Sequence, residues 1–315
     1  MRYQETWIRG RATGEAHQRE CASRYEPIRE ALSRYTRHFS VFDFGANMGY
    51  FAFRIAEEFP HATVVAVDGH TELADLAREN GLPNVVVLNR RMNAGDLAQL
   101  ASCEAFDVVL ALNVLHHMPD WEPALEALRS LGSVAFIETP GPGDSKATGL
   151  VRHKGIREAV EKAGVEVLRT AAHKTAGAER VMYRLDNWRG RSLSSQTLDA
   201  AERGAPAMSR VTLGLDPDGA VIEIRRQKGD DETREFHPGI NLWTAHLGGL
   251  AWPVDVKARI TAEVERLDAE GRWHDDLRPW NFILSGDRAV AIDTANKAWR
   301  TEPEPGGLAK CLAML

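Results

Sequence analysis

An apolar run, Val41-Phe42-Asp43-Phe44, leads into a turn of small residues, Gly45-Ala46-Asn47-Met48-Gly49. The segment Tyr50 to Phe59 follows, with Phe51, Ile55 and Phe59 at helical spacing. Val64-Val65-Ala66-Val67 is a second apolar run, and Asp68 stands at its end. The pattern predicts strand, tight turn, helix, strand. The alternation continues with a helix over Glu72 to Glu79 and a strand over Val85-Val86-Val87-Leu88. A strand is predicted over Phe106 to Leu112, a helix over Pro123 to Ser130 and a strand over Val134-Ala135-Phe136-Ile137. Glu138 and the breaker-rich Thr139-Pro140-Gly141-Pro142-Gly143 close that run. Ile156 to Ala163 is predicted helical, with late strands over Val165 to Leu168 and Val181 to Leu185. Strands alternating with helical segments predict an α/β fold built on a doubly wound sheet.

Apolar periodicity lapses over Asp186 to Ser195, where arginine, glycine and serine predominate, so a boundary is expected there. Beyond it, Val211 to Leu215 and Ala220 to Ile224 flank Asp216-Pro217-Asp218-Gly219, a hairpin signal. Val254 to Leu267 is a charged amphipathic helix, and the chain shows no internal repeat.

In a parallel sheet with crossover helices, ligands sit outside the carboxyl ends of the strands, so the Gly45 turn and Asp68 share one crevice. An acid at that place can accept hydrogen bonds from both hydroxyls of a ribose. A dinucleotide fingerprint requires glycine at positions 47 and 50, where this chain has Asn47 and Tyr50, which argues against NAD. Asn47 is itself a residue that tolerates left-handed backbone.

Composition narrows the classes. With 315 residues the chain can form one large domain or two. A formal charge of −6 without a concentrated basic run argues against nucleic acid as a partner. Cys21, Cys103 and Cys311 have neither metal-ligand nor disulfide-framework spacing. No apolar run approaches the roughly 20 residues of a membrane span, and Met1 to Arg11 is too polar for a secretory signal. A cytoplasmic location is expected.

Asp43, Gly45, Asn47 and Gly49 resemble motif I of the class I S-adenosylmethionine methyltransferases, an acid followed by G-x-G-x-G with Asn47 for the middle glycine. The resemblance implies a Rossmann-like sheet and S-adenosylmethionine as cofactor. It implies cofactor binding by Asp43, Gly45, Ala46, Asn47, Gly49 and Asp68, with Met92 on the adenine face. The segment Phe106 to Asp120 resembles motif IV of small-molecule methyltransferases, which puts Asn113 at the strand end over the methionine part of the cofactor. His116 and His117 follow on the next turn, and imidazole is suited to take a proton from an oxygen acceptor near neutral pH. The D/N-P-P-Y signature of amino-nitrogen DNA methylation is absent, which favours an oxygen acceptor.

A second signature lies near the C-terminus. Trp273-His274-Asp275-Asp276-Leu277-Arg278-Pro279-Trp280-Asn281 carries H-x-D-x-x-x-x-N, followed by a strand, a turn, a second strand and Asp293. This resembles the catalytic loop of kinase-like phosphotransferases, with His274 and Asp276 in the loop and Asn281 and Asp293 as magnesium ligands beside ATP. No G-x-G-x-x-G precedes the hairpin, and the stretch Val221 to Ile224 offers Glu223 or Ile224 in place of the phosphate-binding lysine.

The order of the two signatures resembles the bifunctional kinase–methyltransferases that cap O-antigen polysaccharide. Tyr3-Gln4, Val114-Leu115-His116-His117 and Met182-Tyr183 belong to the same resemblance. It implies a methyltransferase domain over residues 1–188 and a truncated kinase-like α+β domain over residues 189–315. It also implies that Tyr3 and a following N-terminal helical segment close over the cofactor and shape the acceptor site. Arg9, Arg11, Arg90, Arg91 and Arg152 are available to a phosphate-bearing acceptor. The leading expectation is a methyltransferase acting on an oxygen of a glycan end, a phosphorylated sugar or a small metabolite, whose C-terminal half does not transfer phosphate. A genuinely bifunctional enzyme and a non-catalytic scaffold are the alternatives.

Overall fold

The computed structural model describes residues 4–13, 21–140, 150–171, 179–186, 190–196, 208–215, 221–227, 230–235, 240–242, 255–274, 277–285, 288–291 and 305–315. The chain opens with strands β1 (Thr6–Ile8) and β2 (Arg11–Thr13), then helix α1 (Ala22–Leu32). Next come β3 (Phe39–Phe44), α2 (Tyr50–Glu58), β4 (Ala62–Asp68), α3 (Glu72–Asn80), β5 (Val85–Asn89) and α4 (Ala94–Cys103). They are followed by β6 (Phe106–Leu112), a 3₁₀ turn at Leu115–His117, α5 (Trp121–Leu131), β7 (Gly132–Pro140), α6 (Leu150–Ala163), β8 (Val165–Ala171) and β9 (Glu179–Asp186).

Strands β3 to β9 form one sheet in the order β5-β4-β3-β6-β7-β9-β8. The first five are parallel, and β9 and β8 complete it antiparallel. Both faces are covered, which is why the central strands are near-continuous apolar runs. Successive side chains point to opposite faces. Thus Phe42, Val65, Val109 and Ala135 pack with α4, α5 and α6, while Val41, Val64, Val108 and Val134 pack with α1, α2 and α3. Each of the valine and phenylalanine side chains contributes about 1.5–3 kcal/mol when fully buried.

Three elements differ from the expectations drawn from sequence. Residues 6–13 form an antiparallel ribbon rather than a helix, and helix α1 begins at Ala22. Arg9 and Gly10 both have positive φ, the two-residue geometry that matches the twist of paired strands. Helix α4 lay unrecognised behind its own signal, the capping box in which Asn93 and Asp96 exchange side-chain and backbone hydrogen bonds. Strand β10 (Gly190–Gln196), not expected from the sequence, lies in the stretch where a boundary is expected, because pairing with β11 satisfies its backbone whatever its side-chain pattern.

Strands β10, β11 (Met208–Leu215), β12 (Val221–Gln227) and β13 (Asp230–Glu235) form a four-stranded antiparallel sheet. A third sheet joins β14 (Ile240–Asn241), β15 (Phe282–Ser285) and β16 (Arg288–Ala291). Helix α7 (Val256–Ala269) and helix α8 (Gly307–Ala313) add Ile260, Leu267 and Cys311 to the apolar cluster that includes Phe282 and Leu284. Asp107, at the amino end of β6, ties this half to the large sheet. Its buried carboxylate accepts from Ser40 N at 2.7 Å, Ser40 Oγ at 2.9 Å and Val221 N at 2.6 Å. Among the described residues no helix is long and apolar enough to cross a membrane.

Candidate active site

The carboxyl ends of β3, β4, β6 and β7 lie side by side at one end of the sheet. After β3 the backbone enters left-handed conformation at Gly45 (φ 78°), Asn47 (φ 53°) and Gly49 (φ 76°). The turn curls over β4 because the Gly45 and Ala46 N–H groups both donate to Val67 O, at 2.9 and 3.0 Å. Side chains are excluded at its two glycines. A Cβ on Gly45 would lie 2.8 Å from Val114, and one on Gly49 would lie 2.2 Å from the Phe53 ring.

Asp68 braces the turn from the next strand: its Oδ2 accepts from Asn47 N at 2.7 Å and its Oδ1 from His70 N at 2.9 Å. Each carboxylate oxygen keeps a second lone pair for a hydroxyl donor. Gln4, buried beneath the N-terminal ribbon, donates from Nε2 to Ala46 O at 3.2 Å. The ribbon itself is fastened to α2 and α3. Trp7 Nε1 donates to Glu57 at 2.5 Å, and Asn80 Nδ2 donates to Trp7 O at 2.9 Å.

Asp43 lies under the turn, 2 % exposed, and its Oδ2 has no hydrogen-bond partner. Burial pushes its pKa up to about 7, with the Asp68 carboxylate adding to the rise and Arg24 and the Ala52 N–H opposing it. Arg24 is a residue that sequence reasoning missed. It projects from α1 over the Phe51 ring, 5.0 Å from its centroid, and its Nη2 meets Glu138 Oε2 at 2.7 Å, with both side chains buried. A signal existed: Arg24 stands in the apolar stripe Cys21, Tyr25, Ile28 and Leu32, where a charge needs a buried counter-ion.

Asn113 leaves β6 with φ 64°, and its N–H donates to Glu138 O at 3.2 Å. The 3₁₀ turn then brings His116 and His117 together, ring centroids 4.0 Å apart and the planes tilted by 41°. His116 is buried and His117 faces outward. Desolvation of the part of His117 that rests on the protein, and secondarily the charge of Arg180, lower its pKa below the ordinary histidine value.

The structure therefore brings Asp43, Gly45, Ala46, Asn47, Gly49, Asp68 and Asn113 to one end of the sheet, with His116 and His117 on the adjoining turn. Met92 packs against the apolar cluster of α4 and α5, and the Arg91 side chain lies across Gly69. Of the other cations, Arg90 is paired with Asp96 at 2.7 Å and Arg9 caps α3 through Glu79 O. His274 and Asn281 stand elsewhere, both buried, before and within the 3₁₀ turn Pro279–Asn281 that enters β15. Tyr3, Asp276 and Asp293 lie outside the described residues, as do the side chain of Arg152 and the turn Asp216 to Gly219. Among the described residues no group of three His, Cys, Asp or Glu side chains could hold a metal ion.

The arrangement offers close backbone approach at two glycines, a carboxylate for hydroxyl donors, a buried acid and an imidazole at the rim. Residues 42–132 match the family profile described as a methyltransferase domain. No curated protein matches the sequence. Among solved structures the chain is similar to WbdD, at 19 % identity over 94 % of this chain and 80 % of that one, TM-score 0.47. A second WbdD structure, titled a bifunctional kinase-methyltransferase, has 18 % identity over 94 % of this chain and 80 % of that one, TM-score 0.46. The N-methyltransferase NodS from Bradyrhizobium japonicum WM9, in complex with S-adenosyl-L-homocysteine, has 16 % identity over 52 % of this chain and 86 % of that one, TM-score 0.39. Residues 42–132 thus match a methyltransferase domain, and they lie on a Rossmann-like sheet.

Proposed function

We propose that this chain is an S-adenosylmethionine-dependent methyltransferase that acts on an oxygen of a glycan end, a phosphorylated sugar or a small metabolite. The observation that carries the cofactor assignment is the hydrogen bond from Asn47 N to Asp68 Oδ2, 2.7 Å, which locks the left-handed turn against an acid at the next strand end. Gly45, Ala46, Asn47 and Gly49 would take the amino-acid part, Asp68 the ribose hydroxyls, Met92 the adenine and Asn113 the methionine end. The cofactor supplies an electrophilic methyl group on a sulfonium. The protein's task is to align an oxygen with it, exclude water and remove a proton where the oxygen carries one. His116 and His117 serve the last purpose, and Tyr3 with the N-terminal ribbon covers the site.

Calorimetric titration with S-adenosylmethionine should give micromolar-range affinity, on the order of −8 kcal/mol. Asp68→Ala should weaken it about tenfold to a hundredfold, because a hydrogen bond to a charged group contributes ~1.5–3 kcal/mol. Unchanged affinity in that variant would remove Asp68 from the site.

We further propose that the division falls between residues 188 and 189, and that residues 189–315 are a kinase-like remnant which braces the methyltransferase and transfers no phosphate. Asp107, with its 2.6 Å bond from Val221 N, supports the bracing role. Phosphotransfer requires a cation on the nucleotide phosphates, and Val221 to Ile224 carries no lysine. Incubation with labelled ATP, magnesium and an acceptor should therefore give no labelled product. Labelling that disappears in Asp276→Asn would establish the bifunctional alternative, with Asn281 and Asp293 as magnesium ligands.

A further inference from the structure

We infer, on the cofactor assignment above, that the N-terminal ribbon is a strap which lifts each time cofactor enters or leaves, and that Arg54, on the outer side of α2, is the latch that sets how readily it lifts. The rate of exchange is thereby assigned to a residue outside the ligand-binding set.

The ribbon reaches the cofactor turn through Gln4, which is 5 % exposed and donates to Ala46 O at 3.2 Å. Gln4 and Thr6 are buried while Glu5 and Trp7 are only partly so, and the strand therefore presents one side to the protein. Two strands of three residues have little stability of their own, since an isolated two-stranded ribbon is marginal in water. The position of this one is set by what fastens it. Its bonds to α3, from Arg9 N to Asn80 Oδ1 at 3.0 Å and from Asn80 Nδ2 to Trp7 O at 2.9 Å, are exposed or half-buried, where water competes for both partners.

The stronger hold is on α2. The guanidinium carbon of Arg54 lies 4.8 Å from the centroid of the Trp7 ring and 3.9 Å from that of Tyr25, so one cation faces an aromatic ring of the ribbon and another of α1. It is fixed there by its Nε, which donates to Glu58 Oε1 at 2.7 Å, and by its Nη1, which donates to the Tyr50 hydroxyl at 3.0 Å. The Tyr25 hydroxyl donates to Glu58 Oε2 at 3.0 Å, and Trp7 Nε1 to Glu57 Oε2 at 2.5 Å. Tyr50 opens α2 directly after Gly49 of the turn, and its ring meets that of Trp7 edge-on, centroids 5.7 Å apart. Ribbon, α1 and α2 thus close on one side chain that is 15 % exposed, and desolvation strengthens the contact of a cation with aromatic faces. Parting Trp7 from Arg54 frees the ribbon, and with it Gln4 from Ala46 O, while the large sheet stays folded. Local opening of that kind is what the cover of a binding site requires.

Rates of S-adenosylhomocysteine binding and release, from rapid mixing and from a chase of radiolabelled ligand on the whole chain, test the latch together with hydrogen–deuterium exchange. Arg54→Met keeps an unbranched helix-forming side chain and removes the charge. It should raise the association and release rates together by about tenfold and leave the dissociation constant within about threefold, because lifting precedes both entry and exit. Amides of residues 6–13 should exchange faster in the variant, and those of β3, β4 and β6 at the parent rate. Faster exchange in the ribbon with unchanged ligand rates would overturn the gate, and unchanged exchange there would overturn the latch; either result leaves the cofactor assignment standing. A rise in the release rate alone, with affinity lost in proportion, would also overturn the inference, since Arg54 would then shape the turn rather than hold the strap. Failure of the unaltered chain to bind the ligand would overturn the assignment and the inference together. If circular dichroism shows that Arg54→Met is unfolded, Trp7→Phe, which loses the indole donor to Glu57 and part of the face turned to Arg54, is judged by the same two measurements.

Discussion

Arg24→Met is expected to lower the unfolding free energy by about 3–5 kcal/mol, read from urea denaturation, because it breaks a buried ion pair by removing the guanidinium that meets the Glu138 carboxylate. Exposed pairs of the same composition, such as Arg29 with Glu26 on α1, contribute at most ~1 kcal/mol, so the burial decides the size of the effect. Arg24 reaches Glu138 from α1 over the Phe51 ring, and its Nη1 also points at Cys21 Sγ. Removing the guanidinium takes away an attraction that holds the Asp43 pKa down, so Asp43 should protonate at still higher pH in the variant. The double variant Arg24→Met/Glu138→Leu should recover most of the loss, since an apolar replacement of a buried pair is commonly neutral or stabilising. A loss below about 1 kcal/mol in the single variant would mean that Glu138 finds water or another donor. The recovered double variant then isolates function from folding. If it is stable but binds cofactor poorly, the pair serves to hold the crevice open at the ends of β3 and β7.

The unequal legibility of this molecule has physical grounds. The central strands β3, β4, β6 and β7 could be placed from sequence because burial on both faces demands near-continuous apolar runs, and the Gly45 turn because left-handed backbone restricts residue type. Strand β7 extends through Pro140, past the expected end at Ile137, because its last residues are paired by β9, a partner 40 residues onward in sequence. No local pattern reports such a pairing. The same reason hid β10, which is fixed by its register with β11. In the site, Asp43, Asp68, Asn113 and the two histidines were legible as acids, amides and bases at strand ends. The Arg24–Glu138 pair, 114 residues apart, was not, because either residue alone is a common surface type and only the fold brings them together. Gln4 lies in the same class: its hold on Ala46 O depends on a ribbon whose Arg9-Gly10 turn departs from the usual Asn-Gly signal.

Substituting glutamine for His117, and separately for His116, is expected to lower turnover on a hydroxyl acceptor by about 10² or more in at least one case, with cofactor affinity nearly unchanged. The lowered pKa of His117 leaves its imidazole neutral at pH 7, which is the form that accepts a proton. In the parent enzyme the rate should therefore rise with pH through a value below 6.5 and level off before neutrality, and His117→Gln should lose that limb. Desolvation is the first cause of the lowering and Arg180 the second, so Arg180→Ala should move the limb toward higher pH. The sign follows from charge: a guanidinium nearby disfavours imidazolium, and its removal lets the ring protonate more readily. Full activity in both histidine variants would carry a different meaning. An acceptor that is already an anion, as a phosphate oxygen is, has no proton to remove, and the adjacent rings would then serve to pack the turn between β6 and α5. Steady-state rates across pH 5 to 8 on a neutral hydroxyl acceptor and on its phosphorylated counterpart separate the two cases, because only the neutral acceptor should show the limb.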